Sequence, residues 1–309
     1  MMSNNIILAA QSLNKTYGSF TALHPTTLSI AKGEILGLVG KNGAGKTTLL
    51  KLITGQCLPT GGELTLFSET TPEGLRQARQ RMGAIVETPC FYRDMTARQN
   101  LEYYRIQRGI PGKERVEAAL HEVGLRDTGS KKFRDFSLGM KQRLGLALAL
   151  MNHPDFLVLD EPINGLDPLG IVEIRELLLT LNREKQITML ISGHVLAEMQ
   201  SLATTYAFID GGRMIKTMTA RQLEESYGHY LRLVVDRETG AAALLERHFP
   251  DIRYSIQPDK SVHIYNLQGQ ADEVTRVLVG NHIRLYSLEN RGTNLEDYFV
   301  SLVGGSKDV

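Results

Sequence analysis

At 309 residues, with 42% apolar and 22% charged side chains, the chain is long enough for about two domains and apolar enough to bury a core, which excludes disorder, collagen and a small disulfide-stapled fold. Lys and Arg number 35 against 34 Asp and Glu, a net charge of +1, so no global attraction to nucleic acid or anionic lipid is expected. The only cysteines, Cys57 and Cys90, cannot make a framework, and their scarcity suits a reducing compartment.

Residues 6–10 are apolar, but no basic residue precedes them and no small-residue cleavage pattern follows, so they do not read as a signal peptide. Alternation at Leu28 and Ile30 and a turn at Lys32 and Gly33 predict a small antiparallel sheet near the start. Residues 35–39 read ILGLV, a run that fits a strand buried on both faces of a parallel sheet. GKNGAGKTT follows over 40–48, and Leu49, Leu50, Leu52 and Ile53 then fall at helical spacing until Gly55 supplies a stop.

A strand over 82–86 precedes helical periodicity at 96–107 and 113–123, and a third helix runs through 144–151. These predict a helical subdomain around residues 90–150. Even the greasiest stretch, 144–151, is far short of the ~20 apolar residues that cross a bilayer. The run 156–159 ends in Asp160 and Glu161, with Pro162 closing it. Residues 187–191 lead into Ser192, Gly193 and His194, then an amphipathic stretch over 195–202. Strands alternating with helices predict a parallel α/β sheet, whose ligands sit beyond the carboxyl ends of its strands. All three polar clusters lie at such ends.

After a turn at 210–212, a strand at 214–216 and a helix at 222–226, the pattern changes near Tyr227 and Gly228, where a second domain over 227–309 is expected. Strand 230–235, helix 238–248, strands 252–256 and 261–265, helix 271–279 and strand 283–288 make the β-α-β-β-α-β order of a ferredoxin-like unit, with a last helix near 295–302. That fold hosts many functions and by itself assigns none.

GKNGAGKT satisfies G-x-x-x-x-G-K-[ST] between a strand and a helix, the context a phosphate-binding loop requires. Glycines let backbone N–H groups turn inward around phosphates, and the helix start adds a positive dipole end. Lys46 would reach the outer phosphates and the Thr47 hydroxyl would ligate Mg²⁺. Asp160 would orient the magnesium's water shell, while its neighbour Glu161 would polarise the attacking water. Alone, such an acidic pair is a strand end facing solvent; the loop at 40–48 changes its meaning. Residues 136–143 read FSLGMKQR, with Ser137 placed as an N-cap.

In this order the motifs of residues 1–226 resemble the ATP-binding subunit of an ABC transporter: a P-loop NTPase domain with a small antiparallel β subdomain and a helical subdomain, here followed by an α+β domain. The resemblance implies that ATP and Mg²⁺ are held by Gly40, Asn42, Gly43, Ala44, Gly45, Lys46, Thr47 and Thr48, with Tyr17 stacking on adenine. It places residues 136–140 where the family has LSGGQ, so that Ser137 and Gly139 complete the site of a second copy. Residues 157–161 are then the Walker B strand, 164–167 the D-loop, and His194 the switch histidine.

Glu87 stands where most members have glutamine, as a further oxygen for the metal or its water, and Leu138 and Met140 replace glycine and glutamine in the signature. Glu87 with Phe91 and Tyr92 is similar to the subgroup serving bacitracin and lantibiotic export or immunity. The expected partners are a second copy, joined through sandwiched ATP, and an integral-membrane permease that keeps the chain on the inner face of the membrane. Lys46, Glu161 and His194 are the expected catalytic residues. Nucleic acid is not an expected partner; the rival readings are a soluble ABC ATPase on nucleic acid or ribosomes and a non-hydrolysing regulatory subunit.

Overall fold

The structure, a computed structural model, describes residues 6–87, 90–226 and 229–292. The chain divides into two compact units, residues 1–220 and 221–309. The first opens with a long hairpin of β1 (Ile6–Tyr17) and β2 (Phe20–Ala31), followed by β3 (Ile35–Val39) and α1 (Lys46–Thr54). β4 (Gly61–Leu66) returns to β1, making the antiparallel sheet β2-β1-β4. α2 (Pro72–Ala78) and β5 (Met82–Ile85) lead into three helices, α3 (Ala97–Gln107), α4 (Glu114–Glu122) and α5 (Leu138–Leu150).

The chain then alternates through β6 (Phe156–Asp160), α6 (Pro168–Lys185), β7 (Thr188–Gly193), α7 (Leu196–Gln200) and β8 (Thr205–Asp210), and β9 (Arg213–Thr219) closes the edge. The central sheet has the order β5-β6-β7-β3-β8-β9, parallel except for β9. The apolar runs lie at its centre: every residue of β3 is buried, as are the first four of β6. On one face Leu49, Leu50, Leu52 and Ile53 of α1 share a core with Leu8, Leu13 and Ile30 of the antiparallel sheet and with Phe156 and Val158 of β6. Burying each such side chain contributes about 1.5–3 kcal/mol, so the helix that begins at Lys46 is clamped between two sheets.

Predicted bounds shift where pairing overrides composition. The third strand extends past its apolar run because Ser192 and Gly193 still pair with Leu38 and Val39 of β3. The third helix starts earlier than its greasy core, at Leu138, because the Ser137 hydroxyl accepts the Met140 N–H at 3.3 Å. The stretch after His194 is helical for five residues only.

The second unit begins in α8 (Ala220–Ser226) and continues with β10 (His229–Val235), α9 (Glu238–His248), β11 (Tyr254–Ile256), β12 (Val262–Ile264), α10 (Ala271–Gly280) and β13 (Leu285–Gly292). Its sheet, β11-β12-β10-β13, is antiparallel throughout, the strand order of the ferredoxin-like fold. Leu231 and Leu233 alternate inward to pack with Ala241, Leu245, Val274 and Leu278 of the two helices. The helix expected at 295–302 and the change of pattern at 227–228 lie outside the described residues. Among the described residues, no helix is long and apolar enough to cross a membrane.

Candidate functional site

β6, β7 and β3 are neighbours in the sheet, so their carboxyl ends bring together the acidic pair, the Ser192–His194 turn and the glycine-rich loop. The loop's shape demands glycine at two places. A side chain on Gly40 would run into the Ile209 carbonyl, and Gly45, the N-cap of α1, has a φ of 101° and lies against the Ala22 carbonyl. The result is a concavity of about 180 Å³ lined by Asn42, Gly43, Ala44, Gly45, Lys46, Thr47 and Thr48 together with Phe20, Ala22 and Glu161. α1 aims its free N–H groups at this space, which suits an anion.

Lys46 is 5% exposed. Its ammonium donates to the carbonyls of Gly40 (2.7 Å) and Lys41 (3.3 Å) and lies 3.2 Å from Glu161 Oε1. The other Glu161 oxygen accepts from Asn164 Nδ2 at 2.8 Å and faces His194 Nδ1 at 3.2 Å. Glu161 has a φ of 47°, the left-handed region that a non-glycine residue occupies only when its surroundings hold it there. Thr47 donates to Asp160 Oδ2 at 2.8 Å, and Ser192 donates to Asp160 Oδ1 at 2.5 Å while accepting the Glu161 N–H at 2.9 Å.

Lys46, Thr47, Asp160, Glu161 and His194 thus converge as the sequence suggests. Ser192 and Glu198 are additions, and Asn164 joins the site from the stretch likened to the D-loop. Glu198 is half-buried on α7; burial, aided by the nearby Glu161 charge and opposed by His194, holds its carboxyl above the usual carboxylate range.

Glu87 lines an adjoining cavity with Thr47, Asp160, Glu161 and Asn164. Its backbone is also left-handed, with a φ of 65°, and its carboxylate lies 2.6 Å from Lys51 Nζ, a contact that raises the lysine above its ordinary value. The oxygens of Thr47, Asp160 and Glu87 are hard donors of the kind Mg²⁺ accepts. No group of three His, Cys, Asp or Glu able to hold a metal exists among the described residues, so a cation here would draw the rest of its coordination from water and phosphate.

Tyr17 sits at the tip of the first hairpin, half-exposed, with Lys15 Nζ 4.8 Å from its ring centre. Its ring is not among the described residues lining the loop concavity. Phe20, opposite it in the hairpin and 67% exposed, is. Ser137 and Gly139 open on a separate cavity of about 600 Å³ with Gly165, Leu166 and Asp167, and no residue of 40–48 lines it. Leu138, 47% exposed, stands at its rim and also borders the Glu87 cavity.

Farther out, Asn100 is fully buried and holds the segment after Glu87: Oδ1 accepts the Tyr92 N–H at 2.7 Å, and Nδ2 donates to the Tyr92 carbonyl at 3.1 Å and the Thr96 carbonyl at 3.0 Å.

The family profile described as "ABC transporter" matches residues 23–164. The bacitracin transport ATP-binding protein BcrA of Enterococcus faecalis is 38% identical over 305 residues, covering 99% of this chain and 99% of that one. The lantibiotic transport ATP-binding protein SrtF of Streptococcus pyogenes is 38% identical over 209 residues, 68% of this chain and 89% of that one. Among solved structures, cbiO1 from Clostridium perfringens, described as part of the ABC transporter complex cbiONQ, superposes with a TM-score of 0.65 at 25% identity, covering 80% of this chain and 96% of the other. A dimeric, post-hydrolysis ATP-binding cassette bound to ADP and Pi superposes at 0.63 with 24% identity over 69% of this chain and 99% of its own.

Proposed function

The chain belongs to the ATP-binding subunits of ABC transporters, and from that premise we propose that it binds MgATP in the 40–48 loop and hydrolyses it between two copies to drive a membrane permease. The observation that carries the reading is the convergence of Lys46, Thr47 and Glu161 on one concavity at the amino end of α1, with Asp160 bonded to the Thr47 hydroxyl beside it. On binding, Lys46 leaves Glu161 for the outer phosphates, and the loop amides take the remaining oxygens. Mg²⁺ at Thr47 and Asp160, with Glu87 as a further oxygen nearby, would neutralise charge on the transferring phosphoryl group. Glu161, released from Lys46, orients and deprotonates water; His194 and Asn164 hold its second oxygen. Phe20 lines the mouth of the loop, and Tyr17, its partner across the hairpin, would supply the ring that stacks on the base.

Ser137 and Gly139 open on a cavity that no residue of their own loop lines, which supports their completing the site of a second copy. In that arrangement ATP shifts the equilibrium towards the closed dimer, and its hydrolysis releases it. The permease holds the subunit at the inner face of the membrane. Residues 1–226 then form the ATPase, with its helical part at 90–150, and 227–309 an accessory domain. Near-complete coverage of relatives named for bacitracin transport supports export of, or immunity to, peptide antibiotics as the task of the complex.

Two measurements test the reading. Glu161→Gln should bind ATP and turn it over at least about a hundredfold more slowly, whereas Lys46→Ala should weaken nucleotide binding itself in a titration. Unchanged turnover in the first, or wild-type affinity in the second, removes the assigned role. Expression of the chain with its permease should raise bacitracin tolerance, and the Glu161→Gln version should not.

A further inference from the structure

Ser192 is 1% exposed, and its hydroxyl is engaged on both sides. It stands opposite Asp160 in the parallel register of β6 and β7, and so at the one place where a side chain of β7 reaches both members of the acidic pair. Its proton goes to Asp160 Oδ1 at 2.5 Å, and its lone pair receives the Glu161 N–H at 2.9 Å. The two contacts do different things. The first occupies one carboxylate oxygen, so that Asp160 keeps Oδ2 turned to the Thr47 hydroxyl at 2.8 Å. The second satisfies the amide of a residue whose left-handed backbone, with a φ of 47°, carries its carboxylate back over the loop to within 3.2 Å of Lys46.

We propose that Ser192 is a positioning residue for ATP hydrolysis, setting the metal-facing oxygen of Asp160 and the backbone turn of Glu161 with one hydroxyl. The inference rests on the roles assigned above to Asp160 and Glu161 and adds what aims them. The Ser192 hydroxyl is spent on Asp160 and on the Glu161 amide, so its loss should act on turnover and on the metal, leaving the loop amides and Lys46 free to hold phosphate.

The test uses the full chain with Ser192→Ala and Ser192→Thr. The alanine variant should lose about 10- to 100-fold in turnover at saturating ATP and require more magnesium for half-maximal rate. Its affinity for a fluorescent ATP analogue, measured with metal chelated, should stay within about twofold. Threonine keeps the hydroxyl and should recover most of the turnover. Wild-type turnover and magnesium dependence in Ser192→Ala overturn the proposal, as does an equal loss in the two variants when both melt like wild type. If the threonine methyl does not fit and that variant melts low, Ser192→Cys, which keeps a weaker donor of similar size, should fall between wild type and alanine; turnover no better than alanine overturns the proposal. Failure of the wild-type chain to bind the analogue would instead remove the phosphate-loop reading on which all of this stands.

Discussion

Glu87 shows how much one side chain can change a site. An amide there could accept but could not form the 2.6 Å ion pair that Glu87 makes with Lys51 on α1. The carboxylate is 64% exposed, so the pair is worth only about 0.2–1 kcal/mol, and Glu87→Gln should barely move the melting temperature. Removing a negative charge near the metal oxygens should nonetheless raise the magnesium needed for half-maximal ATPase about two- to fivefold; a magnesium titration of the variant against wild type checks this.

At this scale the site is legible wherever its residues are neighbours in the chain. Lys46 and Thr47 follow their glycines directly, and Asp160 and Glu161 end one apolar run. Ser192 and Phe20 are different, because they act through strand register and hairpin geometry, which brings together residues 32 apart in the case of Ser192 and Asp160.

At the scale of elements, α6 is the instructive case. It is the longest helix among the described residues, 18 residues, and its start is marked by an N-cap followed by Pro: Asp167 Oδ1 accepts the Gly170 N–H at 3.0 Å, with Pro168 in the first turn. Residues 168–185 are not among the helices expected from the sequence, although Ile174, Leu178 and Leu181 fall at helical spacing behind this cap. Asp167→Ala should lower stability by about 1 kcal/mol, and Asp167→Asn should lose much less, since an amide oxygen still caps; urea unfolding of both variants decides it.

The opposite case is β3, where five apolar residues before a glycine loop admit one reading and the structure agrees. Strand ends are less legible than strand centres, since they depend on partners: β7 runs on to Gly193 through pairing alone. The short β11 and β12 give too little alternation for their bounds to be read.

For the whole molecule, the alternation of strands and helices made the parallel sheet legible, and the β-α-β-β-α-β order did the same for the second unit, because both depend on the sequence of elements more than on their exact limits. The proposed pairing of two copies through ATP belongs to this scale. Gly139 offers a direct test, since a side chain there meets only Leu166 at ordinary contact distance and its backbone needs no positive φ. Gly139→Asp, in the first turn of α5, should leave the fold within about 0.5 kcal/mol of wild type. It would set a carboxylate against the phosphates of the other copy. ATP-driven dimers of Glu161→Gln, followed by size-exclusion chromatography, should therefore disappear when Gly139→Asp is added, while metal-free binding of a fluorescent ATP analogue persists.

The folded-back ammonium of Lys46 has a thermodynamic corollary. Lys46 is already engaged inside the protein, donating to the Gly40 and Lys41 carbonyls and pairing with the Glu161 carboxylate. In the proposed mechanism a phosphate that takes the ammonium must break these contacts, so its dissociation constant would be weakened by their free energy. The same exchange would free Glu161 for water as the loop fills, so that in this proposal activation of water depends on occupancy of the loop.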